Sequence, residues 1–241
     1  MTVKDLFNRL FRKILKWFLW AFLLSNLYLV LCKWIMPPVT LTQLESLFSG
    51  HGLKRDYVSN EEISPNARLA VMASEDQLFP DHGGFDWKSI EKSLQNKPGK
   101  RKKVAGAGAS TISQQVAKNV FLWQGTGIWR YIRKLPEMYY TKMIEWIWGK
   151  QRILEVYLNI AEMGDGVFGI EAAAEAYFGK AATKLSRPEA AMIVAGLPNP
   201  KKYTVKPMSR WVAWKYPRVL QQMRLIEEDP DIRNLMYVAK Q

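Results

Sequence analysis

The sequence predicts a mostly helical domain preceded by one membrane-spanning helix. Three observations carry that prediction. Residues 14–36 form a largely apolar run, helix-start signals stand at Ser64-Pro65 and at Ser186-Arg187-Pro188-Glu189, and residues 210–228 follow an amphipathic pattern. With 241 residues, of which 48% are hydrophobic, the chain has room for one globular domain with a real core plus an appendage.

The appendage comes first. Lys4, Arg9, Arg12 and Lys13 precede the apolar run. As a helix that run is about 34 Å long, against a hydrocarbon core of roughly 30 Å. Lys16 and Lys33 lie near its ends and can snorkel, while Ser25 and Asn26 interrupt its middle. A cleaved signal peptide would have a shorter apolar stretch and a small-x-small site. This run ends in Lys33-Trp34-Ile35-Met36-Pro37-Pro38, an interfacial aromatic followed by a linker. The basic flank is expected to stay in the cytoplasm, which sends residue 37 onward outside. The predicted organisation is a basic tail over residues 1–13, a transmembrane helix over 14–36, a linker and entry segment over 37–60, and the main domain over 61–241.

A single cysteine, Cys32, excludes an intrachain disulfide and cysteine-based zinc sites. With only His51 and His82, a histidine-rich metal site is not expected either.

Within the domain, residues 41–48 read as a short helix stopped by Gly50-His51-Gly52, and residues 53–58 as a short extended piece. Ser64 is a good N-cap, and Pro65 fits the first helical position. Leu69, Met72 and Ala73 follow at helical spacing, with Phe79 extending the stripe. Glu75 falls on the edge of that apolar face, at the lip of a turn through Pro80 and Gly83-Gly84. Partial loss of water there suits a proton-transfer carboxylate, although a surface Glu-Asp pair at a helix end is the more ordinary reading of this segment alone. Residues 87–94 form another helical face with Trp87, Ile90 and Leu94.

Residues 97–103 carry five basic side chains, usually a solvated loop and alternatively a flap that attracts an anionic head group. Small residues then lead into a helix whose first turn holds Ser110 and Thr111. Free backbone N–H groups and hydroxyls at such a start suit a phosphate or sugar oxygen, or simply allow tight packing. Gln114 and Lys118 are expected on one face of that helix. Phe121, Leu122, Trp123, Ile128, Trp129 and Tyr131 crowd the next stretch, either as core or as contacts with a bilayer surface. Residues 138–148 are apolar on more than one side and are expected to be the buried central helix, ended by Gly149. Gly164-Asp165-Gly166 reads as a turn, and Trp211, Trp214 and Leu225 as anchors of the last helix.

Several blocks now stand in a fixed order. They are Glu75-Asp76-x-x-Phe79-x-x-His82-x-Gly84, then Gly108-x-Ser110-Thr111-Ile112-Ser113-Gln114-Gln115-x-x-Lys118-Asn119, Arg133-Lys134-x-x-Glu137, Lys150-x-x-Ile153-Leu154-Glu155-x-Tyr157-Leu158-Asn159, Gly169-Ile170-Glu171-Ala172-Ala173-Ala174 with Tyr177-Phe178-Gly179-Lys180, and Ala195-Gly196-Leu197-Pro198. Over residues 62–203 the chain resembles the peptidoglycan glycosyltransferase family, found also as the glycosyltransferase domain of class A penicillin-binding proteins. The resemblance implies a lysozyme-like helical fold, lipid II and the growing glycan chain as substrates, a bilayer and other wall-synthesis proteins as partners, and no nucleic acid despite the net charge of +13. Too few residues follow Pro200 for the transpeptidase domain of larger relatives, so a monofunctional enzyme is expected.

The same resemblance implies roles. Glu75 would be the general base and Glu137 would orient cations or a divalent ion, magnesium or manganese, with no cofactor strictly required. Asp76, Ser110, Thr111, Gln114, Gln115, Lys118, Arg133 and Lys134 would contact substrate. Arg130 is the candidate for the family's additional phosphate-binding arginine. Pro136 departs from the pattern: the helix carrying Glu137 should begin there or kink there. Two other readings stay open, a peptidoglycan hydrolase or lytic enzyme on a lysozyme-like fold, and an inactive membrane scaffold for wall synthesis.

Overall fold

The computed structural model describes residues 3–95, 110–125 and 127–237, and divides into residues 1–37 and residues 38–241. The basic run at 97–103 and the small residues at 104–109 lie outside the described residues.

The first unit is one helix, α1 (Val3–Leu31). It begins well before the apolar run, so the basic flank is helical too. It stops at a turn through residues 32–35, before the run is over. Its 28-residue stretch Lys4–Leu31 is long and apolar enough to cross a membrane. Ser25 Oγ and Asn26 Nδ2 both donate to the Phe22 carbonyl, at 2.8 Å each. Polar side chains satisfied within their own helix do not disqualify it from hydrocarbon.

The second unit is mostly helical. In order it contains α2 (Leu41–Phe48), β1 (Lys54–Arg55), α3 (Pro65–Glu75), α4 (Trp87–Gln95), α5 (Ile112–Phe121), α6 (Trp129–Ile132), α7 (Lys134–Ile147), α8 (Gly149–Ile160), β2 (Glu162–Gly164), β3 (Val167–Phe168), α9 (Ile170–Phe178), α10 (Arg187–Gly196), α11 (Arg210–Ile226) and α12 (Pro230–Met236). The cap signals work as read. Ser64 Oγ accepts from the Ala67 N–H, with Pro65 in the first turn. Ser186 and Glu189 close a capping box. The expected extended piece pairs with a hairpin that periodicity did not show: β1 runs parallel to β3, and β3 antiparallel to β2 around the Gly164–Gly166 turn.

Two helix clusters form the core. In one, α10, α11 and α12 pack on α3, whose residues Ala67 to Ala73 are all buried. In the other, α7, α8 and α2 pack on α5. The central buried helix was expected at residues 138–148, and this is corrected. α7 buries Glu137, Tyr140, Thr141 and Ile144 but exposes Leu135, Met138 and Trp146, so it is a wall. The helices buried through most of their length are α3, α5, α8 and α10. Pro136 does not start α7, which begins at Lys134. It sits in the first turn, where backbone N–H groups have no intrahelical acceptor to lose. Gly149, at φ +75°, lets the chain turn from α7 directly into α8. On α11 the buried stripe is Val212, Lys215, Val219 and Met223, while Leu225 is exposed and anchors nothing.

Candidate active site

The site lies where the two clusters meet. Glu75 is the last residue of α3, and Gln115 faces it from α5. Gln115 Nε2 donates to Glu75 Oε2 at 3.2 Å, and Tyr157 of α8 donates its hydroxyl to Gln115 Oε1 at 3.2 Å. Ser74 Oγ donates to the other carboxylate oxygen at 3.2 Å. Burial pushes the Tyr157 phenol well up, and the charges of Glu75 and Asp76 add to it. A phenol that stays protonated keeps donating to Gln115, which fixes the amide so that its N–H side points at Glu75. An uncharged chain of donors therefore holds the Glu75 carboxylate in one orientation.

One helical turn further along α5 stands Lys118. Burial pushes its ammonium below the ordinary lysine value, Arg133 and Lys134 push it the same way, and Glu137 pulls it back up. These four residues therefore share one neighbourhood, as the sequence implied. Glu137 is almost wholly buried. It pairs with Lys134, and its Oε2 is 3.5 Å from Arg133 Nη2. Arg133 is buried too, and its Nη1 donates to the Trp123 carbonyl at 2.9 Å. Three cations around one carboxylate leave a positive excess, the arrangement a pyrophosphate needs. Among the described residues no group of three histidine, cysteine, aspartate or glutamate side chains could hold a metal ion.

A cleft of about 320 Å³ opens beside this helix. Gln115, Lys118, Asn119 and Tyr157 line one side of it, with Thr42, Glu45 and Ser46 of α2 and Glu162, Pro198 and Lys201 on the others. Glu75 does not line this cleft itself; it stands one hydrogen bond behind Gln115.

Other residues expected to contact substrate are turned inward. Asp76 is buried, accepts from the Ile112 N–H at 3.0 Å and faces His82 Nε2 at 2.9 Å. The Gly84 N–H donates to His82 Nδ1, so the ring proton is on Nε2 and points at Asp76. Asp76 thus joins the end of α3 to the start of α5, with no oxygen left facing the cleft. Thr111 and not Ser110 is the N-cap of α5: it accepts from the Gln114 N–H and donates to the Gly84 carbonyl at 2.7 Å. Gln114 Oε1 accepts from the Thr111 N–H, so Gln114 closes a capping box instead of pointing along the face of Lys118. Ser110 is part-exposed just ahead of that cap. Arg130 is exposed and lies over the Tyr131 ring at 5.4 Å, with no contact to Lys118, Arg133 or Glu137. Arg130 therefore stands apart from the cluster around Glu137.

The fourth block is largely a brace. Lys150 Nζ donates to the His82 carbonyl at 2.6 Å and to Glu145 at 2.7 Å, and lies over the Phe79 ring. Glu155 pairs with Arg152, and Asn159 is buried with its amide on both backbone groups of Val58. Gly84 closes the arrangement. At φ +92°, with a Cβ that would come within 2.7 Å of Thr141, no other residue fits. Sequence reasoning missed Tyr157 as a support for Glu75 and missed Lys215 altogether. The second carried a signal: a lysine at an apolar-stripe position of an amphipathic helix.

The transglycosylase family model matches residues 41–224, which include α2 through most of α11. The chain is 51% identical over 175 residues to the biosynthetic peptidoglycan transglycosylase of Escherichia coli, covering 73% of this chain and 70% of that one. It is 43% identical over 226 residues to the biosynthetic peptidoglycan transglycosylase of Shewanella oneidensis, covering 92% and 94% respectively. With the helical, lysozyme-like domain described above, these matches make the chain a member of the transglycosylase family, the peptidoglycan glycosyltransferases.

Proposed function

We propose that this protein polymerises lipid II into β-1,4-linked glycan strands and releases undecaprenyl diphosphate. One observation carries the reading: α5 presents a base contact at Gln115 and a cation at Lys118, about one helical turn apart. Glu75 accepts the proton of the acceptor GlcNAc 4-hydroxyl. The freed oxygen pair attacks the anomeric carbon of the donor MurNAc, on the face opposite the α-linked pyrophosphate. The carbon–oxygen bond to pyrophosphate breaks as the new one forms, which inverts the centre. Charge grows on the departing oxygens, where Lys118, Arg133 and Lys134 stabilise it more than they stabilise the bound substrate. Glu137 holds Arg133 and Lys134 in place. A hydrolase would instead use a carboxylic acid to protonate a poor leaving group, and Glu137, engaged by two cations, is not placed for that. Detergent-solubilised protein incubated with labelled lipid II should yield glycan polymer. Cleavage of finished wall, or no reaction with either, would reject the assignment.

The proposal extends to membrane placement. Residues from α2 onward would lie outside the cytoplasmic membrane, with the basic residues before Ile14 inside. A reporter that works only in the periplasm should be active when fused after Gln241, and activity of a cytoplasm-only reporter there would reverse the orientation. Ile128, Trp129, Tyr131, Ile132 and Leu135 are each more than half exposed, alongside Arg130 and Lys134. Apolar and basic side chains mixed in this way fit a headgroup layer. The double variant Trp129→Glu with Leu135→Glu should lose most of its rate on lipid II in liposomes and keep it in detergent. Equal loss in both would assign the patch to the fold.

A further inference from the structure

The buried stripe of α11 contains one charged residue. Lys215 is 5% exposed, and its Nζ has no hydrogen-bond partner. Burying an ammonium without a partner is costly, and the fold gains nothing from it. The nearest opposite charge is Glu75, whose Oε1 lies 3.8 Å from Nζ. Burial pushes Lys215 below the ordinary lysine value, and Glu75 pulls it back up.

The surroundings of Glu75 make this contact stand out. From α8 it is faced by Tyr157, acting through Gln115, and from α5 by the neutral Gln115 itself. The adjacent Asp76 is closed off by His82 and the Ile112 N–H. α10 and α12 also pack on α3, and their buried positions are small or apolar: Ala190, Ala191, Ile193 and Val194 from one, Ile232 and Leu235 from the other. Lys215 is thus the cation in ion-pair contact with Glu75 among the described residues.

We propose that Lys215 is a positioning residue for the catalytic carboxylate, holding Glu75 ionised and oriented from behind while Gln115 holds it from the cleft side. This inference rests on the reading of Glu75 as general base. A neighbouring cation favours the ionised form of a carboxylate. Without it, a carboxylate in the same dry surroundings takes up its proton at higher pH and stops serving as a base there.

The test compares Lys215→Met, Lys215→Arg and Glu75→Gln in the full-length protein. Each is assayed on lipid II across pH, with melting temperatures measured in parallel. Methionine fills the stripe without a charge, so Lys215→Met should melt no lower than the parent. Its kcat/KM profile should have the acidic limb displaced upward by about one pH unit or more. Lys215→Arg should keep the limb near its original place. A purely structural lysine would give the reverse for methionine: a lower melting temperature and an unmoved limb, which overturns the proposal. So does an arginine variant whose limb shifts as far as that of methionine. If Glu75→Gln is inactive and the Lys215→Met limb does not move, Glu75 remains the base and Lys215 is not its support. If Glu75→Gln stays active, the base assignment fails and this inference fails with it.

Discussion

Glu75→Gln is expected to fold like the parent and to polymerise lipid II at least about a hundredfold more slowly, the ordinary contribution of a positioned general base. The carboxamide has nearly the shape of the carboxylate. Its oxygen can still accept from Gln115 Nε2 and its NH2 can donate to Ser74 Oγ, so the junction of α3 with α5 keeps its hydrogen bonds. It cannot take the proton of an attacking hydroxyl at neutral pH. The measurement is the initial rate on lipid II, with helicity and melting temperature as controls. A folded variant with near-normal turnover would remove Glu75 from the base role, and Asp76 could not replace it, because it is held by His82 and the Ile112 N–H.

The second large effect belongs to the cations. Lys118→Ala should slow polymerisation by about tenfold to a hundredfold, since a hydrogen bond to a charged group contributes about 1.5–3 kcal/mol and each 1.36 kcal/mol is a factor of ten. Stability should not fall, because the substitution removes a desolvated charge that already feels Arg133 and Lys134. Arg133→Ala should match that loss of rate and also lower the melting temperature. It strips Glu137, buried on α7, of one of its two cations and leaves the Trp123 carbonyl without its donor. Removing one partner of a buried pair costs about 3–5 kcal/mol. The two variants therefore separate function from folding. If Lys118→Ala polymerises at the parental rate, the leaving group does not depart toward this cluster.

Much of this architecture was legible in the chain, and the limits have physical causes. Caps read well because they are local: Ser64 and Ser186 each satisfy backbone donors a few residues away, and the side chains that do so are few. The short β1–β3 pairing was not legible, because two-residue strands carry no alternation and their partners are more than a hundred residues apart. Residues 138–148 misled because an apolar surface that faces water in the structure and an apolar core look alike in composition. Family blocks located the site but not the jobs within it. Sequence position alone does not distinguish Gln115, which touches Glu75, from Gln114 beside it, which caps a helix. Lys215 shows the converse: the pattern marked it as inward-facing, yet only the meeting of α11 with α3 shows what it faces.

The packing of α3 also bears on how the protein is made. The helix that ends in Glu75 is formed early in synthesis, but three of the helices that bury it, α10, α11 and α12, lie more than a hundred residues downstream. Until they emerge, Ala67 to Ala73 have little to pack against, and Lys215 is not yet beside Glu75. Contacts so distant along the chain close late and slow a domain's folding. A nascent chain would thus carry Glu75 for most of its synthesis without its surroundings built. A ribosome that stalls before α11 releases a chain in which α3 lacks two of its packing partners and Glu75 lacks Lys215.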